Sequence, residues 1–168
     1  MDAVGARVIP LAEVHRDDLV REDVNPQTPT IMRYITQAKA GSLSNTPPCW
    51  GIYICGLVFK WLKGLGGLGA MKQINEEKAA ILYDFLDQSK LFKATADPSC
   101  RSIMNVPCIT GSDELDALFV SEAKDHNIES IKGHRSVGGM RASIYNAMPK
   151  EGVKALVDFM AQFEKDHS

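Results

Sequence analysis

Apolar positions recur with a helical period in four stretches of the chain, and three shorter runs read as strands. The first helix opens at Asn45–Pro48 with Thr46 as its N-cap, and carries Ile52, Leu57, Val58, Trp61 and Leu62 up to Gly64. Residues 64–69 (GLGGLG) read as a helix stop and a helix–helix turn; they follow no strand and lack the ending of a phosphate loop. A second helix then runs to about Ser89. Met71, Ile74, Ile81, Leu82 and Phe85 form its core face, and Lys72, Glu76, Glu77 and Lys78 its solvated face.

Beyond residue 101 the pattern mixes strands and helices. Ser102–Ile109 predicts a strand, with Pro107 marking an edge or a strand end because proline cannot donate to a ladder. Ser112 caps a helix with Asp113 and Glu114 in its first turn and a buried stripe of Leu115, Leu118, Phe119 and Ala123. Ile128–Lys132 predicts a second strand. Arg141–Tyr145 predicts a third, with Arg141, Ser143 and Tyr145 on one face and Ala142 and Ile144 on the other. A last helix, Pro149 to about Lys165, packs through Val153, Leu156, Val157, Met160 and Phe163. The expectation is a βαββα unit of the α/β class. Residues 1–44 differ: Val8–Val14 suggests a short strand, but charged runs and Pro26 and Pro29 leave no period long enough to bury a face.

Composition narrows the function classes. With 168 residues, 45% hydrophobic and 24% charged, the chain has enough apolar content for a substantial core. Its net charge of -2 gives no general attraction to nucleic acid or to a membrane surface, so neither is expected as a partner. The longest apolar stretch, Trp50–Leu62, is broken by Gly56 and Lys60, and the first ten residues lack a signal-peptide pattern. A soluble, cytoplasmic protein is expected. Cys49, Cys55, Cys100 and Cys108 form no metal-ligand spacing with the histidines, so no metal is expected and the thiols read as reduced.

The candidate chemistry concentrates in Lys132–Pro149, KGHRSVGGMRASIYNAMP. Arg135 and Arg141 offer planar forks for anionic groups, and Gly138 and Gly139 shape the turn between them. Taken alone, the spacing favours two surface charges on a loop. Asn45 and Thr46 suit a phosphate at a helix start, but Pro47 and Pro48 supply no N–H, and on these residues alone plain capping is the better account.

Four segments, AGSLSNTPP (40–48), GLVFKWLK (56–63), RSIMNVP (101–107) and KGHRSVGGMRASIYNAMP (132–149), resemble the C-terminal part of the phosphoserine aminotransferase family. That family belongs to the pyridoxal-phosphate-dependent fold-type I transferases, and the likeness covers residues 26–168. It implies amino transfer from glutamate to 3-phosphohydroxypyruvate, giving 2-oxoglutarate and O-phosphoserine in serine biosynthesis. It also implies use of the phosphohydroxythreonine intermediate of pyridoxine synthesis in many bacterial members. The resemblance places Arg141 on the substrate α-carboxylate, and His134 and Arg135 on the substrate phosphate in the active site of the neighbouring subunit. Asn45 and Thr46 would hold the cofactor phosphate, again across a homodimer interface.

The same likeness implies that 1–44 is a remnant of the large cofactor domain, 45–90 are linking helices and 91–168 is the small C-terminal domain. The chain departs from the family at one decisive point. The lysine that bonds to the cofactor maps near or before Val4, yet no lysine precedes Lys39. The expectation is therefore no catalytic residue and negligible activity from this chain alone. The other reading is an inactive module that binds a phosphorylated metabolite or dimerises. A stand-alone enzyme built on Lys39 or Lys132 is disfavoured, because the ring must be held as well as the amine placed.

Overall fold

The computed structural model describes Asp18 and residues 20–167, so the strand expected over Val8–Val14 lies outside the described residues. The chain forms two compact units that divide between Gly64 and Leu65.

In the first unit, a 3-10 turn (Thr30–Met32) leads into a short helix, α1 (Tyr34–Lys39). Helix α2 (Cys49–Gly64) follows after a turn at residues 40–42 and an irregular stretch. Its first i→i+4 bond runs from Ile52 N–H to the Pro48 carbonyl at 3.1 Å. The cap position is therefore Pro48 and not Thr46. The expected stripe of Ile52, Leu57, Val58, Trp61 and Leu62 buries nothing fully, for α2 has no buried residue. Trp50 and Phe59 are 74% and 64% exposed. A helix apolar on nearly every side is normally covered by something.

The second unit is built around aromatic packing. Helix α3 (Gly67–Gln88) contributes Leu82 and Leu86 to the core. Strands β1 (Lys93–Ala94), β2 (Asn105–Ile109) and β3 (Met140–Ser143) form an antiparallel sheet in that order, with β2 in the centre. Helices α4 (Asp113–Asp125) and α5 (Lys150–His167) complete the unit. Phe92, Phe119 and Phe163 are fully buried, and Phe119 meets the other two edge-on at 5.1 Å. Val106, Cys108, Met140 and Ala142 point into this core with residues of all three helices. The helices thus cover one face of the sheet and leave the other open.

Several sequence expectations hold. Ser112 caps α4 by accepting from Leu115 N–H at 3.4 Å. Burial alternates along β3, with Met140 and Ala142 buried and Arg141 exposed. Others need correction. The strand expected over Ile128–Lys132 reduces to one bridge, Lys132 to Met140, because Asn127 and Ser130 adopt φ of 58° and 59° and interrupt the extended run. The order is therefore ββαβα. Pro107 lies in the central strand, where its carbonyl accepts from Thr95 N–H at 3.2 Å on the side of the two-residue β1. Its missing donor falls on the flank with little ladder to feed. Leu118 is 39% exposed, so Phe119 and Ala123 carry the α4 core face.

The largest departure is Lys78. Expected on the solvated face of α3, it is fully buried, and its ammonium donates to the carbonyls of Ile144, Tyr145 and Met148 at 3.2, 2.7 and 3.0 Å. Burial pushes its pKa below the ordinary lysine value, while three carbonyls suit a group with three donors. One turn away, Asn75 donates to Asn146 Oδ1 at 2.8 Å. Helix α3 thereby fixes the chain that leaves β3.

Candidate functional site

The segment from Gly133 to Gly139 closes on itself. Gly133 N–H donates to the Gly139 carbonyl at 2.8 Å, and the His134 carbonyl accepts from Val137 and Gly138 N–H at 2.9 and 2.8 Å. Glycine is required twice. A Cβ on Gly133 would stand 2.0 Å from the Gly138 oxygen, and Gly139 (φ 65°) lies against the Cys108 carbonyl with no room for one. The loop is thus pinned to the end of β2, and His134 and Arg135 project from it together.

The ring of His134 is held in one tautomer. Its Nδ1 accepts from the Ser136 backbone N–H at 3.3 Å and meets Ser136 Oγ at 2.7 Å. A nitrogen that accepts carries no proton, so Nε2 keeps its N–H and remains a donor. Both His134 and Arg135 line a cleft of about 450 Å³ with Asp113, Asp116 and Gly138. Asp116 is occupied there, its Oδ1 accepting from Thr110 N–H and Oγ1 at 2.8 and 2.7 Å.

Arginine partners separate structure from function. Arg33 donates to the Thr28 and Pro26 carbonyls, Arg101 forks onto Asp87 at 2.5 and 2.7 Å over the Tyr83 ring, and Arg21 pairs with Asp23. Among the described residues, the guanidiniums of Arg135 and Arg141 alone have no hydrogen-bond or ion-pair partner. Arg141 is fixed through its backbone, which donates to the Ile131 carbonyl at 2.7 Å. It borders a different cavity from Arg135, one of about 460 Å³ that includes Ile128, Ser143 and Val153. The two arginines thus border separate cavities.

Asn45 and Thr46 lie in the first unit, in the exposed irregular stretch before α2. Asn45 donates weakly to the Thr46 carbonyl at 3.4 Å, and the Thr46 hydroxyl has no partner among the described residues. An amide, a hydroxyl and open backbone donors fit the phosphate end of a cofactor. Of the two lysines considered from the sequence, Lys39 pairs with Glu22 at 2.5 Å, and Lys132 lines the cleft of His134 and Arg135. Among the described residues no cluster of His, Cys, Asp or Glu is arranged to hold a metal, and no single helix is long and apolar enough to cross a membrane.

One polar group escaped the sequence reading. Asn105 on β2 accepts from Ser143 Oγ at 3.2 Å and from Tyr145 Oη at 3.3 Å. Ser143 and Tyr145 were visible as sharing Arg141's face, but the residue opposite them is set by strand register, which a single sequence does not display.

The chain belongs to the class-V aminotransferases, whose family profile matches residues 25–156. Its fold is part of the pyridoxal-phosphate-dependent fold-type I architecture. The relatives narrow this further. A phosphoserine aminotransferase of Lactiplantibacillus plantarum is 53% identical over 152 residues, covering 90% of this chain and 42% of that protein. Another, from Bacillus cereus, is 46% identical over 164 residues, covering 98% and 45%. The phosphoserine aminotransferase structure from Bacillus circulans subsp. alkalophilus superposes with a TM-score of 0.84 at 44% identity, covering 91% and 42%. A pyridoxal-phosphate-bound phosphoserine aminotransferase from Trichomonas vaginalis gives 0.76 at 40% identity, covering 82% and 40%. The chain therefore spans less than half the length of these relatives.

Proposed function

We propose that this chain is the substrate-recognition part of a phosphoserine aminotransferase, which moves the amino group of glutamate to 3-phosphohydroxypyruvate. The observation that carries the reading is the pair of uncommitted guanidiniums, Arg135 and Arg141, in a chain whose other described arginines are all engaged. A substrate with a carboxylate at one end and a phosphate at the other needs two separated cationic contacts.

In this reading Arg141 grips the α-carboxylate and so orients the substrate's reacting carbon. His134, through Nε2–H, and Arg135 take the phosphate in the active site of a neighbouring subunit. Asn45 and Thr46 hold the phosphate of pyridoxal phosphate, which when bound supplies an electron sink for bond breaking at the substrate's α-carbon. The open apolar surface of α2 supports a homodimer with shared active sites, since such a surface is stable when covered. Residues 1–44 then belong with the large cofactor domain, 45–90 link, and 91–168 form the small domain. The same contacts would serve phosphohydroxythreonine in pyridoxine synthesis, in the cytoplasm.

Alone, we infer, the chain turns over negligibly, because no lysine precedes Lys39 in this sequence and neither Lys39 nor Lys132 stands where the family's cofactor-bonding lysine maps. The test is to co-express it with the lysine-bearing N-terminal portion of a phosphoserine aminotransferase and assay 2-oxoglutarate release. Activity that depends on both pieces and is lost in Arg141→Ala supports the reading. Reconstituted turnover that survives Arg141→Ala contradicts the role given to Arg141, and no turnover from the combined pieces favours a non-catalytic binding or dimerisation module.

A further inference from the structure

The open face of the sheet carries more than Arg141. Asn105 stands directly across from Ser143, and Pro107 across from Arg141, so Asn105 and Arg141 are diagonal neighbours on one face. Diagonal pairs lie about 7–8 Å apart at Cα, within reach of a long side chain.

The hydrogen bonds on Asn105 give its amide a direction. Two hydroxyls, from Ser143 and Tyr145, donate to Oδ1. They occupy both lone pairs of that oxygen and leave Nδ2 with two donors that meet no acceptor among the described residues. A neutral donor pair diagonal to an unpartnered arginine on the same face suits one ligand group: an anion with two oxygens.

We propose that Asn105 is a second carboxylate-binding residue, acting with Arg141 on the substrate's carboxylate, and that Ser143 and Tyr145 orient its amide. The inference rests on the reading of Arg141 above. It also accounts for the sorting of the two anions. The carboxylate finds a cation and an amide on the flat sheet, and the phosphate finds His134 and Arg135 on the loop.

The test is an NMR titration of the ¹⁵N-labelled full chain with L-glutamate, and separately with inorganic phosphate. The Asn105 side-chain NH₂ signals are assigned by their loss in Asn105→Asp. That variant keeps an acceptor for both hydroxyls but removes the donors. The expected result is that glutamate shifts the Asn105 NH₂ pair. Asn105→Asp should weaken glutamate binding by about tenfold or more and leave the phosphate response of His134 and Arg135 unchanged. Shifts along Met140–Ser143 with the Asn105 NH₂ unmoved would overturn the inference while leaving Arg141 in place. A glutamate response unaltered by Arg141→Ala would remove the Arg141 reading and this inference with it.

Discussion

Lys78 reaches across 67 residues of sequence to donate to the Tyr145 carbonyl at 2.7 Å. With its bonds to Ile144 and Met148 it ties α3 to the chain just beyond β3, the strand that carries Arg141. Replacing it with methionine keeps the apolar stem and strips donors from three carbonyls in or near the core. Lys78→Met should cost about 3 kcal/mol in urea unfolding. A loss below about 0.5 kcal/mol would mean that water serves those carbonyls equally well.

The two glycines of the loop make a matched comparison. Gly138 (φ 80°) has open space where a Cβ would go, whereas Gly139 (φ 65°) would place one 2.7 Å from the Cys108 oxygen. Gly138→Ala should cost about 1 kcal/mol, from backbone strain alone, and Gly139→Ala at least twice that. Thermal melts of the two variants decide it; equal losses would contradict the close approach.

Acid should weaken the second unit through Asp87. Hydrogen bonds from Arg101 hold its carboxyl below the ordinary value of 3.8. A carboxylate with a lowered folded-state pKa binds fewer protons folded than unfolded. Its contribution is therefore complete above that ordinary value and is lost as the pH falls through the folded-state pKa. Asp87→Asn should flatten the decline in the urea midpoint below about pH 5. An unchanged slope would show that the pair contributes nothing in solution.

The thiols should divide by burial. Cys100 is exposed, whereas burial beneath the sheet pushes the Cys108 thiol up to about 12. A disulfide reagent at neutral pH should label Cys100 in the native chain and Cys108 only after denaturant is added. Prompt native labelling of Cys108 would contradict the packing of β2.

How much of this the sequence displayed depended on whether the cause was local. The alternation from Met140 to Tyr145, the Ser112 cap and the glycine turn beside Arg135 are set by residues a few positions apart, and each was legible. Lys78 was not: a lysine on a helix reads as solvated, and the carbonyls that hold it come from a distant turn. Pro107 read as an edge residue because nothing local reveals that its flanking strand is only two residues long. Ser130 broke an expected strand through a backbone angle that its side chain does not advertise. In the site, His134, Arg135 and Arg141 stood out by residue type. The freedom of the two guanidiniums from partners, and the register that sets Asn105 diagonal to Arg141, required coordinates.

The most direct test of the central claim is a titration of the chain with O-phosphoserine, followed by the backbone signals of Gly133–Gly139 and Met140–Ser143. Both segments should respond. Arg135→Ala should abolish the loop response and spare the strand, and Arg141→Ala should do the reverse. A ligand that moves neither segment, or shifts that persist in the double variant, would contradict carboxylate binding at Arg141 and phosphate binding at Arg135.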